Sequence, residues 1–246
     1  MFDIVIPIGP NDKDIIGRQL EYTKRNVIGY RNIYLVSYDP AMQAEGCITI
    51  DEKIYPFSME TVSNAHGPSS RNGWYLQQLL KLYSWNVIPG ILERYLVVDA
   101  DTFFLKPTEF VDAATGKCLY AYGDEYNVPY FEHMTRMSSG WRKIIDNKSG
   151  VCSHMMFETK YLEEIFRLIK SIHGDEFYQV FLEKVDDNYK YTDSGSGASE
   201  YEIYFNYMLQ FHPSNIIVRE LKWSHASALN EDNGDDFQSV HWYMRA

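Results

Sequence analysis

The chain is poor in cysteine, in basic charge and in long apolar runs, and each shortage excludes something. Its 246 residues hold three cysteines, Cys47, Cys118 and Cys152, an odd number set far apart with no CxxC pair. Neither a disulfide framework nor a cysteine zinc site fits that spacing, so buried free thiols are expected. Lysine and arginine number 23 against 34 aspartates and glutamates, a net charge of −11. A field of that sign repels nucleic-acid phosphates and anionic lipid head groups, which excludes a polyanion as the main partner. No apolar stretch approaches the roughly 18 residues of a membrane span. Met1 runs straight into Phe2-Asp3-Ile4-Val5 with no basic, cleavable leader, and the expectation is a soluble, cytoplasmic protein.

What is present points to a folded α/β chain. Apolar residues make up 45% and charged residues 23%, ordinary globular usage that excludes wholesale disorder. At about 150 residues per domain, one elaborated domain over 1–246 fits better than two complete ones. Aromatic residues reach 15%, with 20 Tyr, 13 Phe and 5 Trp. Most must be core, because burying one large side chain stabilises by about 1.5–3 kcal/mol.

Apolar runs and turn clusters alternate along the first half. Phe2 to Ile8 reads as a buried strand ending in the turn cluster Gly9-Pro10-Asn11-Asp12, and a helix is predicted from Lys13 to Arg25. Arg31 to Ser37 and Gly46 to Ile50 read as two more strands. Tyr55 to Arg71 reads as a connection, and Asn72 to Val87 as an amphipathic helix with Leu76, Leu79, Leu80 and Tyr83 on one stripe. Glu93 to Asp99 is the clearest buried strand. This rhythm predicts a mainly parallel central sheet flanked by helices. Further on, strands are predicted at Leu119 to Gly123 and Gly150 to Phe157, and helices at Lys160 to His173 and Glu200 to Phe211. Tyr126 to Trp141 reads as an aromatic-rich loop or helical excursion, and the polar run Asp186 to Ala198 as a mobile loop.

The strongest chemical signal is Tyr95-Leu96-Val97-Val98-Asp99-Ala100-Asp101-Thr102. Two carboxylates two residues apart leave the carboxyl end of a hydrophobic strand, where ligands of open α/β sheets bind. Oxygen donors of this kind suit a hard divalent cation such as Mg²⁺ or Mn²⁺, with positions left open for phosphate oxygens.

The run LVVDADTFFLKP resembles the paired-aspartate segment of GT-A glycosyltransferases. Other features fall in the order of that family: the N-terminal IVIPIGPND strand, the helix with Gln77, Gln78 and Lys81, the Ser149–Phe157 segment, and the helix opening at Ser199. The resemblance implies a Rossmann-like α/β fold, a nucleotide-binding half over about 1–105 and an acceptor half over about 106–246. It implies a nucleoside-diphosphate sugar donor, most readily a UDP-sugar, and a glycan or other hydroxyl acceptor. Asp99 and Asp101 would hold Mn²⁺ or Mg²⁺, with His241 favoured over His225 as the third ligand. Pro7, Gly9, Asn11, Asp12, Arg71, Gln78 and Ala100 would line the donor site, with Arg18 a further candidate.

Two glutamates open the last helix. Ser199-x-x-Glu202 reads as a capping box, which leaves Glu200 as the predicted base for an attacking hydroxyl, with Asp193 and Asp124 as competitors. His154, Trp74, Tyr126, Tyr130 and Trp141 are candidates for the sugar sites, and Asp193 to Ala198 for a closing loop. A haloacid-dehalogenase-type phosphatase shares the D-x-D-x-T string, but there it belongs to the first strand. A nucleotidyltransferase would carry a Gly-rich, basic N-terminal loop, of which Gly9-Pro10-Asn11-Asp12-Lys13 is a poor version. A noncatalytic nucleotide- or glycan-binding module is the remaining alternative.

Overall fold

The computed structural model describes residues 1–193 and 195–245. In chain order the elements are β1 (Phe2–Ile8), α1 (Ile16–Asn26), β2 (Val27–Ile28), β3 (Tyr30–Ser37), β4 (Ile48–Asp51), α2 (Met59–His66) and α3 (Asn72–Val87). Next come β5 (Arg94–Val98), β6 (Thr102–Phe104), β7 (Thr108–Glu109), β8 (Cys118–Ala121), α4 (Val128–Met137), β9 (His154–Glu158) and α5 (Thr159–His173). The chain continues through α6 (Phe177–Glu183), α7 (Glu200–Phe211), β10 (Ile216–Arg219), β11 (Trp223–His225) and β12 (Phe237–Ser239).

The central sheet has the order β4-β3-β1-β5-β9, parallel throughout except for antiparallel β9. All seven residues of β1 are buried, as expected for a strand covered on both faces. From β1 the chain moves outward to β3 and β4, then returns to the other side of β1 as β5. That reversal creates a switch point at the carboxyl ends of β1 and β5, where α/β sheets bind ligands. The pairing of β1 with β5 covers Asp3 to Val5, whereas its pairing with β3 continues to Ile8. Pro7, which has no N–H, lies in the stretch where β1 and β5 are no longer paired, so the crevice expected at the switch point falls between these strand ends. At the other end, buried Asp3 accepts from the Arg31 guanidinium and from the Asn32 and Leu92 amides, which fixes the sheet below the crevice.

Several elements depart from the sequence reading. The connection expected over Tyr55–Arg71 contains α2, started by a capping box between Ser58 and Thr61 and anchored by buried Val62 and His66, one turn apart. Helix α3 is not simply amphipathic: Gln78 through Ser84 are all buried, because α2, α7 and the sheet surround it. Helix α4 resolves the aromatic-rich segment. Helix α6 has no counterpart among the predicted elements; its Phe181 and Leu182 carbonyls accept hydrogen bonds from the buried His133 and His66 rings, each at 2.9 Å. Burial holds the His133 imidazole neutral, its pKa lowered to about 3. The strand expected to start at Gly150 starts at His154, after an irregular lead-in in which Ser153 has φ +59°.

The loop expected to be mobile is tied to the start of α3. Ser69 Oγ donates to Thr192 O, the Ser70 amide to Asp193 and Arg71 Nε to Gly195 O, while the Gly197 amide donates to Tyr75 Oη. Ser194 of this loop lies outside the described residues. Cys118 and Cys152 are buried free thiols and Cys47 is a half-buried one. Among the described residues, no helix is long and apolar enough to cross a membrane.

A second, three-stranded sheet, β11-β12-β6, pairs β12 antiparallel to β6. Because β6 begins one residue after Asp101, this sheet brings the C-terminal segment to the paired aspartates.

Candidate active site

The two aspartates sit on a tight turn at the end of β5. The Thr102 amide donates to Asp99 O at 3.0 Å, closing the turn, and the Asp99 amide donates to Ser153 O at 2.9 Å. Ser239 Oγ bridges Thr102 Oγ1 and Ser153 Oγ at 3.1 and 3.0 Å, and the Val240 amide donates to Asp101 O. Val240 packs with Tyr22 and Phe103 in a small apolar cluster separate from the main core. The next residue, His241, therefore meets the turn: its Nδ1 lies 2.7 Å from Asp101 Oδ2. Burial lowers the His241 pKa, but the Asp101 hydrogen bond and the Asp101, Asp99 and Glu125 charges outweigh it, and the net direction is upward.

Asp12 joins from the end of β1. Burial raises its carboxyl pKa, the Arg245 hydrogen bond lowers it, and the charges of Asp101 and Asp99 raise it again. The three carboxylates thus repel one another across the switch point, an arrangement a cation stabilises.

One cation belongs to the chain itself. Lys81 on α3 is fully enclosed, and its ammonium lies 2.5 Å from Asp99 Oδ1, 2.7 Å from Glu200 Oε1 and 3.1 Å from Tyr201 Oη. Tyr201 Oη in turn donates to Asp99 Oδ1 at 3.0 Å. Burial opposes the Lys81 charge, yet the two carboxylates more than restore it and its pKa is raised. One ammonium between two acids leaves a net negative charge, and burial raises the pKa of both Asp99 and Glu200. A lone lysine within the apolar run LQQLLKLY was the available signal for this cluster, since a charge enclosed by packing needs partners.

Arg245 straps the C-terminal segment across the crevice. It donates to Val240 O at 2.9 Å, to Asn11 O at 2.7 Å and to Asp12 Oδ1 at 2.5 Å. Surface hollows of about 380 and 240 Å³ lie elsewhere, against Phe131 and Arg136 and against Met1 and Ile28. Losing charge-assisted bonds of this kind costs about 1.5–3 kcal/mol locally. Arg245→Gln is therefore expected to speed hydrogen exchange at the Val240 amide by about tenfold or more. Unchanged exchange would show that the strap does not hold the segment.

The other candidates divide. Pro7 and Gly9 lie along the crevice at the end of β1, and Ala100 is buried beneath the turn. Arg71 is occupied by Gly195 O but lies close enough to Tyr243 for its charge to oppose the rise that burial imposes on the phenol pKa. Gln78 is 1% exposed and accepts from the Glu200 amide at 2.9 Å, so it anchors α7. Arg18 is exposed on α1, its guanidinium 5.9 Å from the Tyr22 ring. Glu200 is turned inward onto Lys81.

The capping box is only half formed: Ser199 Oγ accepts from the Glu202 amide, but the Glu202 carboxylate accepts from Ser149 Oγ, the Gly150 amide and Asn206. Asp124 is exposed on Lys148. Trp141 and His154 are core, the latter with its pKa lowered to about 3 by burial, whereas Tyr126 is exposed and Trp74 stacks on Tyr130.

Oxygen donors from Asp99 and Asp101 with an imidazole from His241 suit Mn²⁺ or Mg²⁺ in type. Asp99 Oδ2 and Asp101 Oδ1 carry no hydrogen bond among the described residues. No group of three His, Cys, Asp or Glu side chains among them is already drawn together as a metal site. The donor types fit a divalent cation, with Lys81 holding one oxygen of Asp99.

A Rossmann-like sheet, a paired-aspartate turn at its switch point and an antiparallel β9 define a GT-A-like fold. The crystal structure of mouse xyloside xylosyltransferase 1 in its apo form aligns over 100% of this chain and 99% of its own, with a TM-score of 0.51 and 12% sequence identity. At that identity the likeness is one of fold. By sequence, residues 41–240 match the family of unknown function DUF6492, and the chain belongs to that family. No protein of curated function matches it.

Proposed function

We propose that the protein is a metal-dependent glycosyltransferase that moves a sugar from a nucleoside-diphosphate sugar, most readily a UDP-sugar, to a hydroxyl acceptor. The observation that carries this reading is the paired-aspartate turn at the β1/β5 switch point, with His241 Nδ1 2.7 Å from Asp101 Oδ2 and Asp12 near enough to feel the charges of Asp99 and Asp101. Residues 1–105 would then supply the donor side and 106–246 the acceptor side. Pro7, Gly9, Asn11 and Asp12 would receive the base and ribose, with Arg71 at the rim.

Asp99, Asp101 and His241 would hold Mn²⁺ or Mg²⁺, which when bound supplies Lewis acidity to a leaving diphosphate. Lys81 orients Asp99 and opposes the rise in its pKa that burial imposes, and Tyr201 fixes the same oxygen. Glu200, buried against Lys81, acts as a positioning residue by holding the ammonium that orients Asp99. The enclosed Lys81 cluster excludes water from that side of the turn.

The test is Mn²⁺-dependent hydrolysis across a panel of nucleotide sugars. Turnover with at least one donor, lost by about a hundredfold or more in Asp101→Asn, is the expected result. Binding without turnover for every donor would favour a noncatalytic module.

A further inference from the structure

We propose that the rim formed by Glu125, His225 and Tyr243 is the acceptor subsite and that its ligand is a neutral pyranose; this deepens, and rests on, the glycosyltransferase reading above. His225 Nε2 lies 2.6 Å from Glu125 Oε1, and the His225 ring is 4.5 Å from the His241 ring, which itself meets Asp101. The pair therefore stands one ring away from the paired-aspartate turn. Trp223 packs edge-on against His225 at 4.9 Å and 85°, so the imidazole is held rather than free.

Tyr243 lies nearly flat on His241, with centroids 5.3 Å apart and planes 16° apart, while the residue is 66% exposed. The phenol ring stacks on His241, meets the Trp242 ring edge-on and otherwise lies exposed.

A pyranose needs these features together. Its C–H face packs on an open aromatic face, and its hydroxyls donate to a carboxylate and exchange hydrogen bonds with an imidazole. A serine side chain or an alkyl alcohol has no ring face to use Tyr243. An anionic acceptor meets Glu125 and a chain of net charge −11, and both repel it. The buried Glu200 offers no comparable contact to an incoming hydroxyl.

The experiment is saturation-transfer NMR and titration with methyl pyranosides on the full chain, in the wild type, Tyr243→Ala and Glu125→Gln. Both residues are exposed, so circular dichroism of each variant is expected to match the wild type. Pyranoside contacts in the wild type, weakened about tenfold in each variant, are expected. Pyranoside binding that is absent, or equal in all three proteins, overturns the subsite, as does equal or better binding of a serine peptide or an alkyl glycol. UDP with Mn²⁺ titrated into the wild type judges the enzyme reading separately. UDP binding without pyranoside contact removes the rim alone, and pyranoside binding without UDP removes the transferase reading and leaves the rim standing.

Discussion

Lys81→Met is expected to cost about 3–5 kcal/mol of folding stability, the scale for breaking a buried ion pair from one side. Lys81 is 2% exposed and uses its ammonium on Asp99, Glu200 and Tyr201. Methionine fills much of the space but leaves two buried carboxylates with no cation. Both acids already have raised pKa values through burial, and Lys81 is the main group lowering them.

Without Lys81 their folded pKa values rise further above the unfolded ones. The folded state then binds more protons than the unfolded state, so stability gained at low pH is lost as pH rises through the folded pKa. Urea denaturation should place the variant closer to the wild type at about pH 5 than at about pH 8. A variant as stable as the wild type at both pH values would contradict the assignment of Lys81 as the site's internal counter-charge.

Gly150→Ala should be nearly as severe. A Cβ at Gly150 would lie 2.6 Å from Phe205 Cβ and 2.9 Å from Phe205 Cγ. Phe205 is 1% exposed in the middle of α7, so it has nowhere to retreat. Overpacking of this kind costs about 1–3 kcal/mol or more. The Gly150 amide also donates to Glu202, so a shift there disturbs the start of α7, where Glu200 meets Lys81. Thermal denaturation is expected to show a lower midpoint, because the nearest atom, Phe205 Cβ, belongs to the helix itself and cannot rotate away. No loss of stability in the single variant would show that the Gly150 segment moves away from α7 easily.

What was legible in the sequence followed burial pattern closely. Strands β1, β3 and β5 are covered on both faces, and their continuous apolar runs gave them away. The paired aspartates were readable because two charges directly after such a run have no packing explanation. His241 was readable only as one of two histidines near the C-terminus, set apart by its apolar neighbours Val240 and Trp242, and the fold brings both near Asp101 through the β11-β12-β6 sheet.

Long-range partners were not readable. Lys81 meets Glu200 across 119 positions, and Arg245 meets Asp12 across 233. No local period encodes such pairs. Glu200 looked available because its neighbour Glu202 seemed committed to the helix cap; in the fold both carboxylates are buried, each on a partner from another element. The contacts of the polar 186–198 loop were likewise not readable: its composition gives no sign of the four hydrogen bonds that its described residues make near the start of α3.

The central claim is that the crevice between β1 and β5 binds a diphosphate through a divalent cation held at Asp99, Asp101 and His241. Calorimetric titration of UDP into the protein, with and without Mn²⁺, tests it most directly, with Asp101→Asn as the paired variant. Mn²⁺-dependent binding in the wild type and a loss of about a hundredfold or more in the variant are expected. UDP binding that ignores both the metal and Asp101, or no binding in either protein, would contradict it.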